Sequence, residues 1–348
     1  MLSSPVSPAS SLKLSICITT FNRGDLIAAT LESIVEQLSE DCELLILDGA
    51  STDNTEQVVS EYARRSRYLR YIKQDTNNGL DRDFDRTIEL ARGEYCWLMC
   101  SDDVLKPGAV AAVLQELRQD YSLVVVGMEI RNADLSGLLV ARSPNLDGNR
   151  VYAAGDSDRL LLESFPAVAH LSCLVLKRSL WLARERARYY GSQYMHVAVI
   201  FQQPLPEATL VLAEPWVCHR FGKQTWRSNA MQMVSRWPTV VGSLCVSEST
   251  KKRFIASVYQ PNFGSLLLWR AYGMYSLSGY QRWLRPRLHS VQQTVMAIFV
   301  GLLPGALVNI ILTFYYSLQP KGRHGMVLQM LKDSPFYVRN WRVFTSET

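Results

Sequence analysis

Polar and apolar positions follow a regular beat from Leu12 to about Val113. Strand-like apolar runs fall at residues 14–18, 44–47, 69–72 and 95–99. Between them, residues 26–38, 55–65 and 84–91 are patterned as helices. In the first of these, Leu26, Ile27, Leu31, Ile34 and Leu38 recur at the spacing of one helix face. Gly93 is expected as a helix C-cap, and Pro107 in the first turn of the next helix. Strands alternating with helices predict βαβ units. Right-handed crossovers then give a parallel sheet with helices on both faces.

Each strand runs directly into a polar loop. The first ends in Thr19-Thr20-Phe21-Asn22-Arg23 and the second in Asp48-Gly49-Ala50-Ser51-Thr52-Asp53. The third ends in Gln74-Asp75-Thr76-Asn77-Asn78-Gly79 and the fourth in Ser101-Asp102-Asp103. In a parallel sheet these loops share the carboxyl edge, where open α/β sheets bind ligands. Farther on, residues 123–127 are a further strand and 143–149 a loop. Residues 151–240 have the weaker periodicity of a mixed α+β half. Residues 216–226 are polar and aromatic, as expected of a loop over a site. Residues 291–318 are largely apolar, interrupted by Pro304, Gly305 and Asn309.

Composition narrows the classes. A chain of 348 residues with 48% hydrophobic content suits one large domain or two smaller ones. The net charge of +5 is mild, and no Lys/Arg stripe with interleaved aromatics marks the first half, so nucleic acid is not an expected partner. The seven cysteines are odd in number and form no CxxC, which argues for reduced thiols over disulfides or zinc. Residues 1–11, rich in Ser and Pro, lack a signal-peptide pattern and are expected to be a disordered leader.

The candidate chemistry centres on Asp102-Asp103. Adjacent carboxylates at a strand end repel, and a cation relieves that repulsion. Mg²⁺ or Mn²⁺ takes one or two carboxylates plus phosphate oxygens, and would stabilise a departing diphosphate. The plainer reading is an N-cap for the helix near Pro107. Asp48 suits a ribose or a base N–H, or else a turn before Gly49. Ser51-Thr52-Asp53 is patterned mostly as a helix cap. Neither GxGxxG nor GxxxxGK[ST] follows a strand, which weighs against dinucleotide oxidoreductases and P-loop ATPases.

Four blocks, in order, resemble family 2 of the GT-A glycosyltransferases over roughly residues 12–120. They are Ile18-Thr19-Thr20-Phe21-Asn22-Arg23, then Asp48-Gly49-Ala50-Ser51-Thr52-Asp53-Asn54-Thr55. Asn77-Asn78-Gly79 with Ala91-Arg92-Gly93-Glu94-Tyr95 make the third, and Cys100-Ser101-Asp102-Asp103 the fourth. The resemblance implies a GT-A fold, a Rossmann-like mixed sheet, with Thr20, Asn22 and Asp48 holding the nucleoside. Asp81 or Arg82 would reach the base, phosphate or sugar, and Arg23, Asn78, Gly79, Asp102 and Arg220 complete the nucleotide-sugar set. Two departures stand out. Cys100 replaces the first Asp of the metal block, and Phe84-Asp85 replaces the usual Arg-Asn. Residues 80–85 are closer to a subgroup similar to abequosyltransferases, which attach a dideoxyhexose to a lipid-linked O-antigen intermediate.

The family's Glu-Asp base pair has no counterpart after residue 150. His196, in Gly191-Ser192-Gln193-Tyr194-Met195-His196-Val197, stands near its place and is the candidate base; a core or capping histidine is the plainer reading, and His170 is a rival. His219-Arg220 resembles the family's late loop over the diphosphate, so His219 joins Asp102 and Asp103 as a candidate metal ligand and Arg220 as a phosphate partner. Ser172 is placed near the acceptor. Trp181, Trp216 and Trp226 suit either sugar stacking or the core. Asp156 and Asp158 are expected in a surface loop.

Residues 294–316 are long enough to cross a bilayer. Pro304-Gly305 near their middle favours two short helices, and basic residues lie on both sides (Arg282, Arg285 and Arg287; Lys321 and Arg323). An interfacial or re-entrant hairpin fits this better than a span; a buried helix pair is the alternative. The expected organisation is a leader (1–11), a GT-A domain (12–240, divided into 12–120 and an acceptor half 121–240) and a helical region (241–348) with a membrane-docking segment (291–318). The expected activity is inverting transfer from a nucleotide diphosphate sugar to a lipid-linked saccharide, in bacterial surface polysaccharide or O-antigen synthesis at the cytoplasmic face of the inner membrane. A nucleotidyltransferase and a non-catalytic sugar-nucleotide-binding scaffold are the alternatives.

Overall fold

A computed structural model describes residues 12–222, 230–258, 262–288, 290–319 and 321–338. The leader 1–11 and Trp226 therefore lie outside the described residues. The chain forms two compact units. The first holds residues 1–130, 141–220 and 243–247; the second holds 131–140, 221–242 and 248–348.

The first unit is built on one mixed sheet. Its opening half contains β1 (Leu14–Thr20), α1 (Ile27–Val35), β2 (Cys42–Asp48), α2 (Thr55–Arg65), β3 (Leu69–Lys73), α3 (Leu80–Leu90), β4 (Tyr95–Cys100), β5 (Val104–Leu105) and α4 (Ala109–Glu116). β1 and β2 are buried along their whole length, as expected of apolar strands covered on both sides. β1 pairs in parallel with β2 and β4, and β2 in parallel with β3. The register sets Thr20 opposite Asp48, Asp48 opposite Lys73 and Thr19 opposite Cys100. Four strand tips therefore end level on one edge.

The later half contributes β6 (Leu123–Arg131), β7 (Leu138–Ser143), β8 (Arg150–Tyr152), α5 (Ser157–Val168), β9 (Leu174–Lys177), α6 (Arg178–Leu182), α7 (Met195–Phe201) and β10 (Thr209–Arg220). The sheet order is β3-β2-β1-β4-β9-β6-β10-β5, with β7 on β6 and β8 on β10. β9 runs antiparallel to β4, so the residues leading into it lie at the carboxyl end of β4. β10 runs antiparallel to β5, with Cys218 opposite Val104, so its end arrives at Asp102 and Asp103.

Several local expectations are corrected. Gly93 is not a C-cap: α3 is capped by Ala91. A Cβ on Gly93 would fall 2.6 Å from the Ser15 backbone nitrogen, so its role is close approach to β1. Pro107 precedes α4 instead of entering it, and left-handed Gly108 is the N-cap. That removes capping as the role of Asp102-Asp103. Residues 216–220 are strand, because β10 continues to Arg220. Asp158 sits in the first turn of α5 and accepts from Ser247. None of the seven cysteines, all among the described residues, is in a disulfide.

The second unit is helical: α8 (Ala230–Gly242), α9 (Glu248–Val258), α10 (Phe263–Ala271), α11 (Leu277–Gly279), α12 (Val291–Leu302), α13 (Gly305–Ser317) and α14 (Lys321–Lys332). α10 packs on α12 and α13, and α13 on α14. Leu266, Tyr275, Leu284 and Val300 share one apolar cluster; Ala271, Val308 and Leu331 share another.

Candidate active site

The donor-side cradle forms where β1 and β2 end. Asn22 takes a left-handed backbone, φ 51°, which Asn tolerates better than most residues. Its backbone N–H donates to Ser51 Oγ at 2.8 Å, and its Oδ1 accepts from the Thr52 backbone at 2.8 Å. The Arg23 backbone donates to Thr55 Oγ1 at 2.9 Å. Asp48 is fully buried; it accepts from the Ser51 N–H and from the Tyr71 hydroxyl, each at 2.7 Å. The hydroxyls of Thr19 and Thr20 are buried with no hydrogen-bond partner among the described residues. Buried polar atoms in that state are uncommon and are completed by an ordered water or by a ligand.

The third loop closes this cradle. Gly79, φ 87°, starts α3. Gln74 donates to Asp83 Oδ1 at 2.7 Å and accepts from Asn78 at 3.1 Å. Asp83 lies so close to Gly49 that a Cβ there would meet its Oδ2 at 2.9 Å. Burial raises the Asp83 pKa, and the charge of Asp48 adds to the rise. Asn78 and Arg82 line a groove of 230 Å³ on this side, with Arg82 stacked 4.5 Å over the Tyr190 ring. Asp81 is buried and accepts from the Gln193 backbone at 3.0 Å.

At the β4 tip, Asp103 gathers four donors. Oδ2 meets His170 Nε2 at 2.7 Å and Ser172 Oγ at 2.5 Å. Oδ1 meets His219 Nδ1 at 2.9 Å and the Arg220 N–H at 3.0 Å. Burial alone would raise the Asp103 pKa, but the charges and hydrogen bonds of His170 and His219 hold it well below the usual carboxylate range. Asp103 in turn raises the His219 imidazole against the effect of burial. The two imidazole rings stand edge to face, 4.2 Å between centroids. Arg220 Nε donates to the Asp102 carbonyl at 2.9 Å and braces the same loop.

Asp102 behaves differently. Burial, then the neighbouring Asp103 charge, raises its pKa. A half-buried carboxylate pushed toward its neutral form beside a second carboxylate is a natural cation ligand. Asp103, whose oxygens meet four donors, is a hub that positions His170, Ser172, His219 and Arg220. Cys100, Asp103 and His170 bring ligand atoms within 4.8 Å of one another. Burial and then the two carboxylates push the Cys100 thiol well up, however, so it is a poor thiolate donor.

His196 is also displaced from its expected role. It is buried in α7, with Nε2 on the Ala169 carbonyl at 3.0 Å, and burial lowers its pKa to about 4. The adjoining cavity, about 10 Å³, has room for at most one water. Trp181 is a core residue whose indole donates to Asp85 at 2.9 Å. Ser172 Oγ donates to Asp103 Oδ2, the oxygen His170 also meets, and accepts from the Cys100 N–H. Sequence reasoning missed Asp83, Gln74 and the hub role of Asp103; the buried acids of α3 at alternate positions were the available signal.

The chain is similar in sequence and fold to known proteins. Residues 15–155 match the family described as glycosyl transferase family 2. The chain carries a family 2 glycosyltransferase domain. It is 30% identical over 204 residues to the abequosyltransferase RfbV of Salmonella typhimurium, covering 54% of this chain and 60% of that protein. It is 29% identical over 113 residues to a Campylobacter jejuni GalNAc(5)-diNAcBac-PP-undecaprenol β-1,3-glucosyltransferase, covering 32% of this chain and 37% of that protein. The chain thus spans less than two thirds of either relative. In fold, it is similar to S. aureus TarS in complex with UDP-GlcNAc, with a TM-score of 0.54 at 14% identity over 92% of this chain and 90% of that one. A mannosyltransferase from Pyrobaculum calidifontis in complex with GDP-Man and Mn²⁺ gives 0.53 at 13% identity over 94% and 88%. The family 2 domain therefore sits on a mixed α/β, GT-A-like sheet.

Proposed function

We propose that this protein transfers a sugar from a nucleoside diphosphate sugar to a hydroxyl of a lipid-linked saccharide, with inversion, in bacterial surface polysaccharide synthesis at the cytoplasmic face of the inner membrane. The observation that carries the reading is the convergence of the β1–β2 cradle and the Asp102–Asp103–His219 cluster on one sheet edge. The Campylobacter relative, whose name specifies a diphospho-undecaprenol saccharide, supports a lipid-linked acceptor.

Thr20, Asn22 and Asp48 hold the nucleoside, and Arg23 lies on the path to the diphosphate. Asp102 and His219 would hold a divalent cation, with Asp103 orienting the His219 imidazole through Nδ1. Bound Mg²⁺ or Mn²⁺ would neutralise charge on the leaving diphosphate. His170, oriented by Asp103 and partly exposed, replaces His196 as the base that takes the acceptor hydroxyl proton. The hydroxyl oxygen bonds to the anomeric carbon as the carbon–phosphate-oxygen bond breaks on the opposite face.

The test is incubation with a panel of nucleoside diphosphate sugars and acceptor lipid, with and without Mn²⁺. Release of the diphosphate from one donor, lost in Asp102→Ala, is the expected result. No release from any donor would overturn the reading.

A further inference from the structure

We infer that the second unit docks on an anionic lipid surface and lies along it through the outward faces of α12 and α13. The inference rests on the membrane-side reading above and names the surface and its lipid chemistry. Along α12, Val291, Val295, Phe299 and Leu302 are 81%, 61%, 53% and 64% exposed. Along α13, Leu307, Ile311, Tyr315 and Leu318 are 52%, 56%, 53% and 69% exposed. Each set recurs at steps of four, four and three residues, which is one helix face. Two consecutive helices thus turn continuous apolar stripes outward, far more than the scattered exposed apolar residues of an ordinary surface.

The opposite faces are already engaged. Ala297 and Val300 enter an apolar cluster with Leu266 and Tyr275. Gly305 has the Phe336 ring against it, where a Cβ would fall 2.4 Å from a ring carbon. Asn309, fully buried in α13, donates to the carbonyls of Ala271 at 3.1 Å and Leu331 at 2.9 Å. No single described helix is long and apolar enough to cross a membrane, and α12 and α13 meet at 96°. Straightening the pair into a span would break these contacts. Lying flat keeps them and buries both stripes.

Charge selects the lipid. Residues 249–332 contain no Asp or Glu and ten Lys or Arg. Arg285 is exposed in the short helical turn that precedes α12, and Arg282 stacks 5.0 Å over the Trp283 ring, a pairing suited to a headgroup boundary. Basic residues beside an apolar stripe are drawn to anionic headgroups. A two-fold dimer through the same face would set arginines against arginines, which opposes self-association.

The experiment sediments the full chain with vesicles of phosphatidylcholine alone or with added phosphatidylglycerol, at low and high salt. Binding to the phosphatidylglycerol vesicles should be at least about ten-fold tighter and weaken with salt. Val295→Ser with Phe299→Ser, or Ile311→Ser with Tyr315→Ser, should abolish pelleting while the thermal midpoint holds. Arg285→Gln with Arg287→Gln should remove the lipid preference. Equal pelleting on both vesicle types, pelleting that survives the serine changes, or a solution dimer that those changes dissociate would overturn the docking. Diphosphate release in the same preparations reads the transferase separately: failure to pellet with release intact rejects only the docking, and pelleting without release rejects only the reaction.

Discussion

Asp103 Oδ1 and His219 Nδ1 meet at 2.9 Å, one from the tip of β4 and the other from the end of β10. A carboxylate that orients a metal-binding imidazole sets the affinity of the site. Asp103→Asn should weaken Mn²⁺ activation by about 10–100-fold, read as the Mn²⁺ concentration for half-maximal diphosphate release. Asp103→Ala should also cost roughly 3 kcal/mol of stability in a denaturant melt, because it strands buried donors. An unchanged Mn²⁺ titration in the Asn variant would remove Asp103 from the site.

His196 predicts a stability profile. Its folded pKa, about 4, lies below the ordinary value of 6.5. Between those values the unfolded chain binds a proton that the folded chain refuses. The contribution of His196 is therefore full above pH 6.5 and is lost as the pH falls toward 4. The slope is at most on the order of 1 kcal/mol per pH unit. His196→Gln should flatten it and leave transfer at neutral pH within about three-fold, as expected of a residue outside the chemistry. Abolished transfer with an unchanged melt would instead restore His196 as the base.

Thr20 separates binding from folding. Its hydroxyl is buried and has no partner among the described residues. Thr20→Val should leave the free protein as stable or slightly more so, since it deletes a polar group without a hydrogen bond. The donor KM should rise by about ten-fold, the worth of one hydrogen bond. Equal KM values in the two proteins would show that the nucleoside does not reach this hydroxyl.

Gly93→Ala should destabilise by roughly 1–3 kcal/mol, because the new methyl meets fixed β1 backbone. Gly148→Ala, with nothing within 4 Å of the added Cβ, is the control and should shift stability by less than about 0.5 kcal/mol. Matching melts for the two would refute the close-approach account.

The βα rhythm was legible because β1 to β4 are apolar runs bounded by polar tips, and the strand tips were legible as one edge for the same reason. Residues 216–220 have the polar and aromatic pattern of a loop, yet they are strand, and the strand carries His219 and Arg220 to Asp103. His196 drew attention by its chemistry, but its burial depends on packing that a linear pattern does not contain. The link between His170 and Asp103 spans 67 positions and exists only because β9 returns antiparallel beside β4. Gly93 carried the right residue for the wrong cause: a cap and a close approach look identical in one letter.

The usual Asn of the third helix is Asp85 here, and three side chains from beyond β9 converge on it. Trp181 donates to it at 2.9 Å, Arg186 pairs with it at 2.7 Å, and the Tyr190 hydroxyl bonds its other oxygen. α3 and the segment from 181 to 190 are thereby riveted at a single point. Neither can slide without stripping a buried negative charge of its donors. Drift in one of these segments during evolution would have to be matched in the other, so a graft that exchanges only one of them between relatives should inherit a mismatched joint.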